Sequence, residues 1–240
     1  MPRPGGARAA AERLFPVAGC GAARRFAAGG AQLEQGADIL LAEGPAAAPH
    51  LAARTARALL ELGSGIAARA RRIPLAARQG RPRIAVACGG GPLPGAGDVA
   101  LKAVMAAGCP PHRFGLSDGN LVLARHRAFL GRQPPREWVA RLRAAPPERR
   151  IAVEAGSVDE AVLLARSGAD RIHLARLAPE QVADAVRAIS ASDRRPALAA
   201  AGGIDEGNAA VYAAAGADVL VTAAPYAAPP IEVTLAMAEG

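Results

Sequence analysis

The sequence is poor in aromatic residues and in cysteine, and each shortage limits the kind of protein it encodes. Aromatic residues make up 3% of the 240 residues, so the core must be built from small side chains, mainly alanine. The three cysteines, Cys20, Cys88 and Cys109, form no C-x-x-C pair, and they indicate neither a disulfide framework nor a zinc site. Reduced cysteines are typical of the cytoplasm, where we expect this protein.

Long apolar runs are also missing. No stretch reaches the length needed to span a membrane without charged residues, and residues 1–15 lack the apolar core of a signal peptide. We therefore expect no membrane insertion.

Positive charge is in excess, although lysine is almost absent. Lysine and arginine total 29 against 21 aspartate and glutamate, giving a net charge of +8, and Lys102 is the only lysine. Such a charge attracts anions, including nucleic acids and phosphorylated metabolites. A compositional bias toward arginine and alanine is the alternative explanation. Because no nucleic-acid-binding motif accompanies the charge, we expect no nucleic-acid partner.

The hydrophobic pattern predicts an α/β protein. Residues 50–78 form an amphipathic helical pattern, with an interruption expected near Gly63 and Gly65 and an end near Pro74. Short apolar runs then alternate with helical segments, which indicates a parallel sheet buried on both faces. Two segments repeat the order helix, Gly-Ala-Asp, strand, with Gly168 and Gly216 as the helix-ending glycines.

The two ends of the chain are less regular. Residues before the long helix offer one or two short strands, and the proline-rich C-terminal segment suggests a return to that layer. We predict an N-terminal layer with the long helix over 1–80, an α/β body over 81–222 and a C-terminal return over 223–240. Functional groups of such a body lie at the carboxyl ends of its strands.

A glycine-rich stretch, "VACGGGPLPG", follows the first strand of this body. It matches neither the dinucleotide fingerprint, since Pro94 stands at the last glycine position, nor the P-loop, since Ala96 follows Gly95. A structural turn and a backbone anion site both remain open.

Three further segments carry candidate chemistry. His112 and Arg113 follow two prolines and could bind a carboxylate or phosphate, or be an ordinary surface pair. Glu154 ends an apolar strand, where it could hold Mg²⁺, stabilise positive charge, or simply be exposed. Gly202 and Gly203 resemble a phosphate-binding loop before a helix, and Asp205 is a candidate helix cap.

Together, the segments "PPHRFGLSDGNLVLARHRAFL", "IAVEAGSVDEAVLLARSGADRIHLA", "AAAGGIDEGNAAVYAAAGADVLV" and "TAAPYAAPP" resemble the quinolinate phosphoribosyltransferase family (nicotinate-nucleotide pyrophosphorylase, carboxylating). The likeness is strongest to its ModD branch, the pyrophosphorylase-like proteins of molybdate transport systems. The resemblance implies an N-terminal α/β sandwich joined to an open α/β barrel of the type II phosphoribosyltransferase kind. It also implies a homodimer with shared active sites.

The implied reaction joins a pyridine-type, quinolinate-like acid to C1 of 5-phosphoribosyl-1-pyrophosphate, and pyrophosphate leaves with Mg²⁺. The resemblance implies that Arg54 reaches the neighbouring subunit's site and that His112 and Arg113 bind substrate. It makes Glu154 the catalytic and metal-binding strand-end glutamate. Lys102 is a further candidate for substrate binding. The Gly-Gly of the phosphate loop corresponds to Gly202 and Gly203.

The chain departs from the family pattern at several positions. The family's Thr-Arg-Lys aligns with Gly89, Gly90 and Gly91, its metal-side aspartate with Ala175, and its serine before Gly-Gly with Ala201. Losing two charge-assisted hydrogen bonds costs about 3–6 kcal/mol. That corresponds to about 10²–10⁴ in rate or affinity. The early strands of the family's sandwich are also expected to be absent, through a misassigned start or through genuine loss.

The sequence therefore predicts a ModD-like phosphoribosyltransferase homologue whose activity is reduced by these departures. A non-catalytic protein that binds an anion in molybdenum handling, on the same scaffold, is the alternative.

Overall fold

The computed structural model describes residues 6–90, 94–115, 118–145, 148–190 and 194–239. It contains an antiparallel pair of short strands and a six-stranded parallel sheet, with helices between the parallel strands. None of the described helices is long and apolar enough to cross a membrane. The helices are α1 (Ala7–Val17), α2 (Ala47–Gly80), α3 (Gly97–Ala106), α4 (Ala124–Arg127), α5 (Pro135–Ala144), α6 (Val158–Arg166), α7 (Pro179–Ser190) and α8 (Ala209–Ala214). The strands are β1 (Arg24–Arg25), β2 (Leu40–Leu41), β3 (Ala85–Cys88), β4 (Asn120–Val122), β5 (Ile151–Ala155), β6 (Arg171–Ala175), β7 (Ala197–Ala201) and β8 (Val219–Thr222).

The chain divides into two compact units. The first unit comprises Met1–Arg71, Gly91–Pro110 and Ala224–Gly240, and the barrel unit comprises Arg72–Gly90 and Pro111–Ala223. The division into residues 1–80, 81–222 and 223–240 stays a prediction.

The first unit has its own small apolar core. One side of α2 packs against α1, and the C-terminal segment runs beside α2, where the Ile231 amide donates to the Glu61 carbonyl at 3.1 Å. The strands β1 and β2 pair antiparallel at the edge of this core. The buried members of the core are Ala11, Phe15, Cys20, Ala48, Ala52, Ala56 and Leu60.

The barrel unit has the strand order β3-β8-β7-β6-β5-β4, and every pair is parallel. Each strand lies beside its neighbour in the chain, except that the first strand pairs with the last. This is the cyclic order of a barrel with one opening, between β4 and β3. The predicted α/β class, with an open α/β barrel and an attached N-terminal layer, is confirmed.

The predicted repeat forms the same junction twice. Gly168 and Gly216 end α6 and α8 with φ of 90° and 96°. In each repeat the following aspartate then bonds the start of the neighbouring strand. The Asp170 carboxylate accepts from the Ile151 amide at 2.8 Å, and the Asp218 carboxylate accepts from the Leu198 amide at 2.8 Å. The two aspartates therefore lock the parallel register at the amino ends of the strands.

The long helix α2 corrects one prediction. It continues through Gly63, Gly65 and Pro74 and ends at Gly80, whereas an interruption and an earlier end were expected. Its glycines are required by close neighbours: a Cβ on Gly63 would lie 2.2 Å from the Ala7 Cβ, and one on Gly65 would lie 2.1 Å from the Pro229 carbonyl oxygen. These glycines permit close packing and do not break the helix.

Replacing Asp170 with alanine should destabilise the barrel unit. The change removes the acceptor of the Ile151 amide and the partner of Arg143, whose Nη2 lies 2.9 Å from the carboxylate. We expect a loss of about 1–3 kcal/mol in the free energy of unfolding, measured by urea denaturation at pH 7. Asp184→Ala is the control, because Asp184 pairs only with Arg187 of its own helix among the described residues, and it should change stability little. Equal losses of unfolding free energy in both variants would contradict the role of Asp170 in holding the strand register.

Candidate functional site

Most of the predicted site residues meet at the carboxyl ends of the barrel strands. Glu154 is the fourth residue of β5, and Ala175 and Ala201 are the last residues of β6 and β7. The segment after β7 supplies the glycine pair, and the segment after β3 supplies the glycines of the first loop. The site residues of these two loops are Gly89 and Gly90 after β3, and Gly202 and Gly203 after β7. His112 and Arg113 follow Pro111, which forms a β-bridge with Cys88 of β3.

Two predicted residues, Arg54 and Lys102, lie in the first unit. Arg54 is exposed on α2, and Lys102 is half-buried on α3, where a Cβ on Gly6 would lie 3.3 Å from its Cβ. Gly91 lies outside the described residues.

The pair His112 and Arg113 is held beside the end of β3. Pro111 forms an isolated parallel bridge with Cys88, and the His112 amide donates to the Cys88 carbonyl at 2.6 Å. Both residues are half-buried, and their role in binding substrate stays a prediction. The bridge therefore fixes the backbone of His112 and Arg113 beside the carboxyl end of β3.

The Glu154 carboxylate is fixed by a neighbouring backbone amide. The Ala124 amide donates to its Oε2 at 2.7 Å, and the Arg127 Nη2 donates to the Glu154 carbonyl at 3.0 Å. Across the β5–β6 pair, Glu154 is level with His173. The glutamate is half-buried, so a carboxylate is held near the barrel interior without being sealed from solvent.

The described start of the first glycine loop, Gly89 and Gly90, is closely packed. The Gly89 amide donates to the Thr222 carbonyl at 2.8 Å, and a Cβ on Gly89 would lie 2.5 Å from the Val221 Cγ1. Gly90 has a φ of 100°, and its added Cβ would lie 3.0 Å from the Ala223 Cβ. An arginine restored at Gly90 would therefore strain the backbone, because this conformation favours glycine.

The second glycine loop leaves two amides free. Gly202 and Gly203 have φ of 93° and 74°, and neither amide has an acceptor in the part of the chain that the structure describes. A Cβ on Gly202 would lie 2.8 Å from the Arg176 Cγ, so glycine is required there. The Thr222 hydroxyl anchors the loop by donating to the Ile204 carbonyl at 2.5 Å.

Asp205 lies in the turn that leads into α8. Its Oδ1 accepts from the Gly207 amide at 2.8 Å, and its carbonyl accepts from the amide of Ala209, the first residue of α8, at 3.0 Å. The bond from its side chain to the amide two residues on is one that a helix cap makes, and the cap stays a prediction.

Sequence reasoning missed Arg171 and His173 on β6. Residues two apart in a strand share a face, and the intervening Ile172 is fully buried on the other. The His173 side chain is 5% exposed, and its ring lies 4.7 Å from the ring of His112 at 74°. The signal was present in "RIHLA", where two basic residues alternate with apolar ones.

The buried nitrogens of this cluster lack partners. Within the described ranges, no group bonds the Nε2 of His112, the Nε2 of His173 or the Nε of Arg171. Buried polar atoms in folded proteins are nearly always bonded, so an unbonded group of three indicates a place where something else binds.

Burial and neighbouring positive charge keep both histidines neutral. Burial, followed by the charges of His112, Arg171 and Arg113, lowers the pKa of His173 to about 3. Burial, then Arg171 and Arg113, also lowers the pKa of His112. The groups that act on these histidines are all basic, so the cluster is cationic and suited to an anion.

The residues present do not fit a protein-held Mg²⁺. No group of three histidine, cysteine, aspartate or glutamate side chains that could hold a metal occurs among the described residues. Mg²⁺ prefers carboxylate oxygens, yet Ala175 carries none and the Glu154 Oε2 already accepts an amide hydrogen bond. The predicted role of Glu154 as a metal ligand stays a prediction.

Acid should destabilise the fold through His173. Between pH 6.5, its ordinary pKa, and about 3, the unfolded chain binds a proton that the folded chain does not. Stability from this residue is therefore lost as the pH falls below 6.5. We expect about 2 kcal/mol of loss between pH 7.5 and pH 5, measured by urea denaturation.

The variant His173→Leu should show a smaller loss between the two pH values, because it lacks the group that titrates. His50→Gln, on the exposed side of α2, serves as the control and should keep the wild-type dependence. An unchanged dependence in His173→Leu would show that His173 is not the source.

Comparison with known proteins identifies the family. The sequence pattern described as "Quinolinate phosphoribosyl transferase, C-terminal domain" matches residues 66–236. The chain is 42% identical over 183 residues to "Putative pyrophosphorylase ModD" of Rhodobacter capsulatus, which covers 76% of this chain and 70% of that protein. It is 31% identical over 188 residues to "Probable nicotinate-nucleotide pyrophosphorylase [carboxylating]" of Methanocaldococcus jannaschii, covering 76% of this chain and 65% of that protein.

A solved structure agrees with these matches. The fold superposes on NadC from Streptococcus pyogenes with a TM-score of 0.79 and 25% identity, covering 93% of this chain and 78% of that chain. The resemblance predicted from the sequence, including that to ModD proteins, is confirmed. The chain therefore belongs to the quinolinate phosphoribosyltransferase family, a family of pentosyltransferases.

Proposed function

We propose that this protein transfers the phosphoribosyl group of 5-phosphoribosyl-1-pyrophosphate to a pyridine-type acid and releases pyrophosphate. The observation that carries the proposal is the charge arrangement at the carboxyl edge of the barrel. His112 and Arg113 stand beside a cationic interior, while the Glu154 carboxylate is fixed on a neighbouring strand, level with His173. The reaction needs both signs of charge at one place.

The chemistry explains why both signs are needed. The ring nitrogen of the acceptor donates its electron pair to C1 of the ribose, and the bond from C1 to the pyrophosphate oxygen breaks. Pyrophosphate leaves with that electron pair. Positive charge develops on the ribose in the transition state, and a fixed carboxylate stabilises it. Glu154 is the residue suited to this role, because its orientation is set by the Ala124 amide before substrate binds.

The remaining groups of the edge are suited to holding the substrates. Arg113 can bind a carboxylate in two hydrogen bonds. The free amides of Gly202 and Gly203 can donate to a phosphate, since their positive φ leaves them without internal acceptors. These assignments follow the family resemblance and are supported by the positions of the residues.

The missing charges predict slow turnover. Gly89, Gly90 and Ala175 bring no charged side chain to the barrel edge, and a Cβ at Gly89 or Gly90 would lie too close to Val221 or Ala223 without rearrangement. We therefore expect measurable but weak activity. The homodimer, the role of Arg54 across it and the link to molybdate transport stay predictions.

Pyrophosphate release tests the proposal. The purified protein is incubated with 5-phosphoribosyl-1-pyrophosphate, Mg²⁺ and a panel of pyridine carboxylic acids, and pyrophosphate is measured by a coupled assay. We expect slow release with at least one acid. Glu154→Gln should lower kcat about 10²–10³-fold with little change in KM, because it removes charge stabilisation that matters in the transition state.

The control is Glu180→Gln, which changes an exposed glutamate of α7 and should leave kcat unchanged. A quinolinate phosphoribosyltransferase of the family is assayed in parallel. If that enzyme releases pyrophosphate and this protein releases none with any acid, the proposed activity is wrong.

A second candidate function is anion binding without turnover. The observation that favours it is the close packing at Gly89 and Gly90 together with Ala175, since these positions carry no polar side chain where the family resemblance implies one. Calorimetry separates the two functions. Binding of a pyridine acid or of 5-phosphoribosyl-1-pyrophosphate, with no pyrophosphate released from a mixture of the two, would favour the binding protein.

A further inference from the structure

The inner face of β6 carries two basic residues that the proposed transfer does not use. Arg171 and His173 share this face, and in the described part of the chain neither the Arg171 Nε nor the His173 Nε2 has a partner. His173 is only 5% exposed, so bulk water has little access to its unbonded Nε2. Leaving such groups unbonded is unfavourable, and an acceptor from outside the chain would relieve it.

The residues level with this cluster are small. Across β5, β6 and β7, the other positions that share the face of Arg171 and His173 carry alanine side chains, apart from Glu154. Large apolar residues such as Ile172 and Leu174 lie on the opposite face. The alanines of this face are Ala152, Ala175, Ala197, Ala199 and Ala201.

The charges that act on the two histidines are positive, and Glu154 supplies a carboxylate on the same face. Arg113 and Arg171 act on both histidines, and no carboxylate pairs with either arginine among the described residues. Glu154 is level with His173, but its Oε2 bonds the Ala124 amide. Two guanidinium groups without a counterion near buried, unbonded nitrogens make a site for a negative ligand.

We propose that Arg171 and His173, together with His112, form an anion subsite inside the barrel that receives a carboxylate of the acceptor. For the identity of the acid, this proposal rests on the proposed function. The subsite supplies positive charge that the glycines after β3 do not. Residues of β6 would then determine which acid the protein accepts.

The position in the barrel favours a carboxylate over the phosphate of the donor. Arg171 begins β6 and His173 is its middle residue, so both lie below the carboxyl edge where Gly202 and Gly203 offer free amides. A ligand entering from that edge reaches His173 before Arg171. A planar carboxylate is smaller than a phosphate attached to ribose, and the free amides of the glycine loop suit the phosphate.

Equilibrium titration tests the subsite. Isothermal titration calorimetry of the full chain is carried out with quinolinate, nicotinate, inorganic phosphate and pyrophosphate as separate probes. The variants are Arg171→Gln and His173→Leu, with Arg171→Lys as the conservative partner of the first. The matched control is Arg166→Gln, which removes an exposed arginine at the end of α6.

We expect Arg171→Gln to weaken binding of the pyridine acid about tenfold to hundredfold, since a charge-assisted hydrogen bond is lost. His173→Leu should weaken it to a smaller degree, Arg171→Lys should recover part of the affinity, and Arg166→Gln should match the wild type. Phosphate and pyrophosphate binding should not change in any variant.

Two results would overturn the subsite. The first is that the wild type binds neither pyridine acid. The second is that Arg171→Gln and His173→Leu bind the pyridine acid with the same affinity as the wild type. Loss of phosphate or pyrophosphate binding with unchanged acid binding would assign these residues to the donor instead. Because titration needs no turnover, its outcome is separate from that of the pyrophosphate assay.

A measurement on the wild type decides the question if the variants do not fold. The ring signals of His173 are followed by NMR over a pH series, without acid and with saturating quinolinate. We expect bound carboxylate to shift these signals and to raise the pKa of His173, because it supplies the missing negative charge. Unchanged signals and an unchanged pKa would overturn the proposal.

Discussion

Two aspartates at the amino ends of β6 and β8 hold the register on which the candidate site depends. Each one accepts from an amide at the start of a neighbouring strand: Asp170 from Ile151, the first residue of β5, and Asp218 from Leu198, the second residue of β7. Because a slip of one residue would turn every side chain to the other face, this lock decides which residues point inward. With this register, Glu154 lies level with His173.

The consequence of that register is a barrel interior with an unusual distribution of charge. Small alanines take most inner positions, and the polar groups among them are basic and partly unbonded. The Glu154 carboxylate is held by an amide and not by these bases. Burial keeps His112 and His173 neutral, so the positive charge resides on arginines, which stay charged at every accessible pH. An anionic substrate would complete this arrangement.

Sequence reasoning predicted the architecture better than the local details. The alternation of strands and helices predicted a parallel sheet buried on both faces, and the family resemblance implied the open barrel that the structure has. The resemblance also selected His112, Arg113, Glu154 and the glycine pair, which lie at or just after the carboxyl ends of strands. Sequence reasoning failed at α2, because glycines that break an isolated helix are tolerated where another backbone packs against them.

The sequence by itself determined the fold class, the family and the positions where charged family residues are missing, because these follow from periodicity and from motifs along the chain. Only the tertiary structure decided what those losses leave behind. Burial, strand register and the approach of His112 to His173 are properties of residues far apart in sequence. The sequence does not show whether a basic residue in an apolar strand has a hydrogen-bond partner. The packing of the fold is what makes Arg171 and His173 candidates for binding an anion.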